Sequence, residues 1–151
     1  MTVSVHGIDE LKKLSGSPLG TSDWIDLTQD RVNGFADATG DHQWIHVDVE
    51  RARRGPFGGP IAHGYLTLAL FIPLFTDLLD VEGVTTKVNY GLNKVRFPAP
   101  VPVGSRLRLS AVLASVDDIS GGVQMTVDGT IEIEGGSKPA AVLQSVTRFY
   151  V

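Results

Sequence analysis

The spacing of apolar residues changes from helical to extended partway along the chain. Apolar positions in residues 8–14, and on one face of residues 29–38, predict two short helices, the second capped by Thr28. A short strand is predicted between them at residues 22–27, and a short helix around residues 49–53. Beyond Glu82-Gly83, apolar and polar residues alternate, which predicts four or five antiparallel strands. These strands cover residues 85–97, 106–116, 123–134 with a bulge or bend at Gly129, and 140–151.

Residues 63–79 form the most apolar stretch of the chain. Because nearly every side of this segment is apolar, it is expected to be a helix that is buried all round. Pro73 lies inside it and predicts a bend, or an end of the first part, near Ile72. A sheet of four or five strands can bury such a helix by wrapping around it. The pattern therefore predicts an α+β fold, with one domain spanning residues 1–151.

Composition narrows the classes of function. The chain of 151 residues has a net charge of −4 and no cysteine, which excludes disulfide frameworks and cysteine nucleophiles. Its one small basic cluster, Arg51, Arg53 and Arg54, is too small for a nucleic-acid duplex but large enough for the phosphates of a ligand. The apolar runs are too short to cross a bilayer, and the N-terminus lacks the apolar core of a signal peptide. A cytoplasmic protein that binds neither nucleic acid nor membrane is expected.

The densest group of reactive side chains lies in residues 40–48, with the sequence GDHQWIHVD. A loop of this length can bring the carboxylate of Asp41 and the imidazole of His46 to one point. Two such groups can hold a water molecule between them and move its protons. The alternative is a solvated loop in which the aspartate and the histidine have no chemical role.

A second group, GPIAHGY at residues 59–65, leads directly into the apolar helix. A glycine at the start of a helix allows another molecule to approach the free backbone N–H groups, which favour a developing negative oxygen. Gly64 is therefore a candidate oxyanion donor, although it could instead provide clearance between helix and sheet. His63 is either part of this site or a hydrogen-bonded structural residue.

Together these two groups resemble the hydratase motif of the MaoC-like dehydratases, the (R)-specific enoyl-CoA hydratases. The form of the motif at residues 40–48 is similar to that of the NodN-like branch of this family. The similarity continues through NYGLNKVRF and PAPV at residues 89–101, and it covers most of the chain from about residue 25 onward.

The resemblance implies a hot-dog fold, in which an antiparallel sheet wraps around a long, largely apolar central helix, and a homodimer. It assigns the catalytic acid and base to Asp41 and His46, and the oxyanion donor to the backbone N–H of Gly64. The implied reaction adds water to trans-2-enoyl-CoA and gives (R)-3-hydroxyacyl-CoA. The implied substrate is an acyl-CoA thioester, and neither a metal nor an organic cofactor is required.

This chain departs from the family motif at two places. The commoner motif has Asn-Pro where this chain has Gln43-Trp44, and the large ring of Trp44 is expected to line or narrow the acyl channel. Some members carry a serine eight residues after the oxyanion glycine, where this chain has Ile72. Thr67 is the residue that could replace this hydroxyl, unless it bonds to its own helix.

Further substrate contacts are predicted at His63, at Arg54 for the phosphates, and at Asn93 on a polar face near the site or the dimer seam. Two rival functions remain at this stage. A hot-dog acyl-CoA thioesterase would need a carboxylate on the central helix or just before it, yet only Glu50 lies between Asp48 and that helix, and none lies on the helix before Asp77. The other rival is a non-catalytic acyl-binding module.

Overall fold

The computed structural model describes residues 2–151, which form eight strands and six helices. The helices are short, and the four longest strands lie in the second half of the chain, as the change of periodicity predicts. In chain order the elements are β1 Val3–His6, α1 Ile8–Lys13, β2 Pro18–Thr21, β3 Ile25–Asp26, α2 Gln29–Thr39, α3 Trp44–Val47, α4 Val49–Arg53, α5 Gly64–Ala69, α6 Phe71–Leu78, β4 Leu79–Glu82, β5 Thr86–Arg96, β6 Arg106–Ile119, β7 Gly122–Ile133 and β8 Ala141–Tyr150.

Six strands form one antiparallel sheet in the order β2-β6-β7-β8-β5, with β3 also pairing with β6. The alternating residues Leu107, Leu109, Ala111 and Leu113 of β6 are all buried, so the predicted apolar face of this strand is confirmed. Together with the apolar faces of β7 and β8, they pack against α5 and α6 in the main hydrophobic core. The α+β hot-dog arrangement is therefore confirmed, and a parallel β1-β4 pair stands apart from the sheet.

The central helix is two short helices rather than one long helix. α5 ends at Ala69, and α6 begins at Phe71. The break lies one turn before Pro73, because a proline has no N–H to donate to the carbonyl of the residue four positions earlier, and its ring clashes with that carbonyl. For Pro73 this residue is Ala69. The expectation of a break near Ile72 placed it about two residues too late.

The prediction that this segment is buried all round is wrong. Leu66, Leu74 and Leu78 are buried against the sheet, but Tyr65 is 72% exposed and Ile72 is 45% exposed. Because the sheet covers only one side of a helix, an apolar residue on the other side stays at the surface unless another element packs there.

Two strand predictions also need correction. The strand expected at residues 22–27 is only Ile25–Asp26, and a separate strand, Pro18–Thr21, precedes it. Gly129 makes no bulge, since β7 pairs with both neighbouring strands without interruption there. A side chain at Gly129 would lie 3.1 Å from Leu109 and 3.3 Å from Phe71, so glycine allows the helix to approach the sheet closely at this point.

Candidate active site

The loop that carries Asp41 begins where α2 ends. Thr28 caps this helix through its side chain, which accepts a hydrogen bond from the N–H of Arg31, as predicted. At the other end, Gly40 adopts a left-handed conformation with φ of 80°. Glycine takes this conformation at little cost, so it ends the helix and turns the chain. The next residue, Asp41, is exposed.

His46 is held by the backbone of the second motif. It lies in the helical turn α3, which the sequence did not predict, and its side chain is 6% exposed. Its Nδ1 lies 2.7 Å from the carbonyl oxygen of Ile61, and the N–H of Ile61 donates to the carbonyl of Ile45. Because a carbonyl oxygen only accepts hydrogen bonds, Nδ1 carries a proton. The other ring nitrogen, Nε2, is thereby left for chemistry.

His63 lies at the start of α5 and is 2% exposed. Its ring stacks on the ring of His46, with 3.9 Å between centroids and an interplanar angle of 23°. Its Nε2 lies 2.9 Å from the backbone carbonyl oxygen of Asp41, to which it donates. Residues from both sequence motifs are therefore joined at one point.

The structure brings the carboxylate of Asp41 and the ring of His46 together. One side-chain atom each from Asp41, His46 and His63 lies within 4.8 Å of the other two. When one water molecule makes hydrogen bonds of about 2.8 Å to two protein atoms, those two atoms lie about 4.5 Å apart. The separation therefore suits one water molecule held between a carboxylate oxygen and an imidazole nitrogen.

A cavity of about 390 Å³ lies beside His46 and is lined by His46, Gly64, Thr67 and Phe97, among others, while Asp41 is not among its lining residues. The first N–H groups of α5 have no acceptor within their own helix, and of the residues that carry them Gly64 lines this cavity. A side chain at Gly64 would lie 3.2 Å from the ring of Phe97, so this glycine does provide clearance. The hydroxyl of Thr67 is buried and has no hydrogen-bond partner within residues 2–151, so it does not bond to its own helix.

The same three side chains are of types that bind zinc, which usually takes nitrogen and oxygen ligands at about 2.0–2.2 Å. Two histidines that share one ion must direct the in-plane lone pairs of their rings to a common point. The rings of His46 and His63 instead stack in nearly parallel planes. This geometry favours proton transfer over metal binding, and a metal-free site stays a prediction.

An exposed histidine lies beside the catalytic candidates. The Nε2 of His42 lies 2.9 Å from a carboxylate oxygen of Asp37. This hydrogen bond, with the charge of Asp37 and a smaller contribution from Asp41, raises the pKa of His42 above its usual value. The favourable interaction between protonated His42 and Asp37 is therefore present below this raised pKa, and it is lost as the pH rises through it.

Four of the predicted substrate-binding residues are absent from the lining of this cavity: Trp44, His63, Arg54 and Asn93. Trp44 is absent from its lining; its ring packs on Gly55, with the guanidinium of Arg51 at 4.2 Å from the ring centre. Arg54 is exposed at the end of α4 and takes part in no ion pair formed within residues 2–151. Asn93 lies on the edge strand β5 and donates a hydrogen bond to Gln144 of β8.

One contact of the site has no signal in the sequence. The side-chain amide of Gln29, at the start of α2, donates to the backbone carbonyl of His46 at 2.8 Å and to Asn33 at 3.0 Å. Gln29 is 17 residues from His46 in the chain. A glutamine after a helix cap is common on protein surfaces, so only the folded arrangement identifies this residue as an anchor of the site.

Among residues 2–151, no helix combines the length and the apolar character needed to cross a lipid bilayer. Residues 10–134 match a family model described as the MaoC-like domain. The chain is 56% identical over 145 residues to 3-hydroxyacyl-thioester dehydratase Z of Mycobacterium tuberculosis, a match that covers 95% of this chain and 96% of that protein.

The chain is also 45% identical over 136 residues to nodulation protein N of Rhizobium meliloti, with 88% of this chain and 84% of that protein covered. The structure is similar to that of an R-hydratase from Pseudomonas aeruginosa in its unliganded form. In that comparison the TM-score is 0.73 and the sequence identity 22%, and the match covers 95% of this chain and 84% of the other.

Proposed function

The chain belongs to the family of MaoC-like dehydratases, and from this premise we propose that it adds water reversibly to a trans-2-enoyl-CoA. The product is an (R)-3-hydroxyacyl-CoA. The same equilibrium read in reverse is a dehydration, the activity named for the relative from Mycobacterium tuberculosis. The observation that carries the proposal is the approach of Asp41 and His46, within 4.8 Å, beside a cavity of about 390 Å³.

The proposed reaction begins with a water molecule held between the carboxylate of Asp41 and Nε2 of His46. As the water oxygen bonds to C3 of the substrate, one of these two groups takes a proton from it. The electrons of the double bond move toward the thioester oxygen and form an enolate. A proton delivered to C2 from the same pair completes the addition. Acid–base catalysis of this kind contributes roughly 10²–10⁴-fold to a rate.

The developing oxyanion is proposed to lie at the start of α5. Its partner is the backbone N–H of Gly64, which lines the same cavity as His46. Removing one such donor from an enzyme costs roughly 10²–10³-fold in rate. The buried hydroxyl of Thr67, which also lines this cavity, is proposed to contact the substrate or the water. In this proposal the hydroxyl of Thr67 takes the role of the serine that some family members carry at the position of Ile72.

The acyl chain is proposed to extend along the helix, away from His46. Two smaller cavities, of about 220 and 180 Å³, lie between α5-α6 and the strands β5 and β8. Phe71 and Ile72 line both of them, so their walls suit an apolar chain. The exposed Arg54 is proposed to meet the phosphates of coenzyme A.

The direct test is to incubate the protein with crotonyl-CoA and with longer enoyl-CoAs. We expect the absorbance of the conjugated double bond to fall without release of free thiol, and chiral analysis to identify the (R)-3-hydroxyacyl product. Release of thiol would support a thioesterase instead. Binding without any change in the double bond would support a non-catalytic acyl-binding module.

We also propose that the protein is a homodimer that pairs through β5. This strand pairs with β8 on one side, and its side chains are exposed over nearly its whole length, including those of Tyr90 and Leu92. A long, exposed edge strand is a template for pairing with another chain. The exposed apolar residues Tyr65 and Ile72 of the central helices would extend this interface.

Light scattering after gel filtration is expected to give twice the mass of one chain. The substitution Leu92→Lys places a charge in the centre of β5, and we expect it to shift the protein toward the monomer. Val112→Lys is a matched control, because Val112 is a similarly exposed apolar residue on β6. A parent protein that elutes as a monomer at micromolar concentration would rule out this assembly.

A further inference from the structure

His63 contacts each of the parts from which the proposed site is built. Its side chain donates to the backbone of Asp41, its ring stacks on His46, and its own carbonyl accepts the first hydrogen bond of α5, from the N–H of Thr67 at 3.1 Å. The next residue, Gly64, carries the proposed oxyanion donor. A change at this side chain therefore reaches both catalytic candidates.

The hydrogen bond from His63 is the shortest that Asp41 itself makes. The N–H of Asp41 lies 3.4 Å from the hydroxyl of Thr39, and the N–H of Gln43 lies 3.4 Å from a carboxylate oxygen of Asp41. Both distances are at the long limit for a hydrogen bond. The 2.9 Å bond from His63 is shorter, and its donor is a buried ring that cannot move away into solvent.

The contacts of His63 also define its tautomer. Because Nε2 donates to a carbonyl oxygen, the proton of the ring is on Nε2. Nδ1 is buried and has no hydrogen-bond partner among residues 2–151. The ring is packed on one side by His46 and lies 4.8 Å from the ring of Phe35, so its orientation is set by packing as well as by the hydrogen bond.

His46 is restrained in two different directions. The hydrogen bond from its Nδ1 to the carbonyl of Ile61 lies in the plane of the ring and restrains movement within that plane. The stacked ring of His63 packs against the face of the ring and restrains tilting. Both restraints limit the rotation of this ring, and one of its nitrogen atoms lies within 4.8 Å of a carboxylate oxygen of Asp41. A water molecule held by both groups needs this alignment, since a misplacement of about 1 Å can cost roughly 10²-fold in rate.

We infer that His63 is a positioning residue: by donating from Nε2 to the carbonyl of Asp41, it fixes the position of the carboxylate relative to the ring of His46. This inference rests on the proposed hydratase function. It differs from the expectation that His63 binds substrate, because the ring nitrogen that donates is already bonded to the protein.

The test compares two substitutions, one that keeps the hydrogen-bond donor of His63 and one that keeps its ring. In His63→Gln, the amide nitrogen is as many bonds from the backbone as Nε2, so the donor is kept and the stacked ring is lost. In His63→Phe, the ring is kept and the donor is lost. We expect His63→Phe to lower kcat for crotonyl-CoA by roughly 10- to 100-fold with little change in KM. We expect His63→Gln to restore most of kcat.

Rates are normalised to the folded fraction, measured by circular dichroism, so that a loss of stability is not counted as a loss of positioning. A His63→Phe enzyme with the parent's kcat would overturn the inference. So would a His63→Gln enzyme as slow as His63→Phe or slower, which would indicate that the N–H donor without the ring does not hold the site. A rise in KM alone would overturn it as well, because it would indicate that His63 binds substrate.

Two further measurements do not depend on the reaction. Long-range ¹H–¹⁵N NMR of the parent protein is expected to find the proton of His63 on Nε2, and a proton on Nδ1 would overturn the inference. Hydrogen exchange at the amides of His42 and Gln43 should be faster in His63→Phe than in His63→Gln. If the parent shows no hydratase activity, the proposed function fails, while these measurements still decide whether His63 holds the loop.

Discussion

Asp41→Asn is expected to lower kcat/KM for enoyl-CoA hydration by roughly 10²–10⁴-fold. The amide has nearly the same shape as the carboxylate, but it cannot accept a proton at neutral pH. Because Asp41 is exposed, the substitution should leave the fold intact. The rate is measured from the loss of enoyl absorbance under kcat/KM conditions, with crotonyl-CoA well below KM.

The matched control for this change is Asp37→Asn. Asp37 is an exposed aspartate four residues earlier that bonds to His42, and it is not one of the three side chains that meet at His46. We expect Asp37→Asn to keep the parent rate and to lower the pKa of His42. If Asp41 and His46 act as a unit, combining Asp41→Asn with His46→Gln should cost little more than either change alone. An Asp41→Asn enzyme as fast as the parent would refute the assigned role.

Gly122→Ala is expected to destabilise the protein by about 3 kcal/mol or more. Gly122 begins β7 and pairs with Tyr150 of β8. A Cβ atom at this position would overlap the carbonyl oxygen of Phe149 and lie 3.0 Å from the Cα atom of Tyr150. Overpacking usually costs about 1–3 kcal/mol, and backbone atoms paired within a sheet yield less readily than side chains.

Urea denaturation measures this loss, and the same substitution elsewhere provides the control. Gly34 is an exposed residue inside α2, and a Cβ atom there would meet no atom within 4 Å. Alanine favours a helix over glycine by about 1 kcal/mol, so Gly34→Ala should stabilise the protein. Opposite signs for the two changes are expected. A Gly122→Ala protein that unfolds at the parent's urea midpoint would mean that β7 and β8 are not so closely paired.

Local sequence patterns were sufficient for most of the secondary structure. The cap at Thr28, the helix that follows it and the short helix around residues 49–53 are confirmed, because each depends on residues within one or two turns. The alternation in β6 predicted its buried face, since side chains on a strand point to opposite sides in turn. The motif at residues 40–48 also identified the catalytic candidates by resemblance.

The sequence by itself determined most of the helices, the four long strands, and which side chains are available for chemistry. Only the tertiary structure decided how far the sheet covers the central helices, and therefore why Tyr65 and Ile72 stay exposed. It also decided that the ring of His46 is fixed by the carbonyl of Ile61, and the loop of Asp41 by the ring of His63. Every backbone has such carbonyl groups, so a partner 15 or 22 residues away is selected by folding and not by residue type.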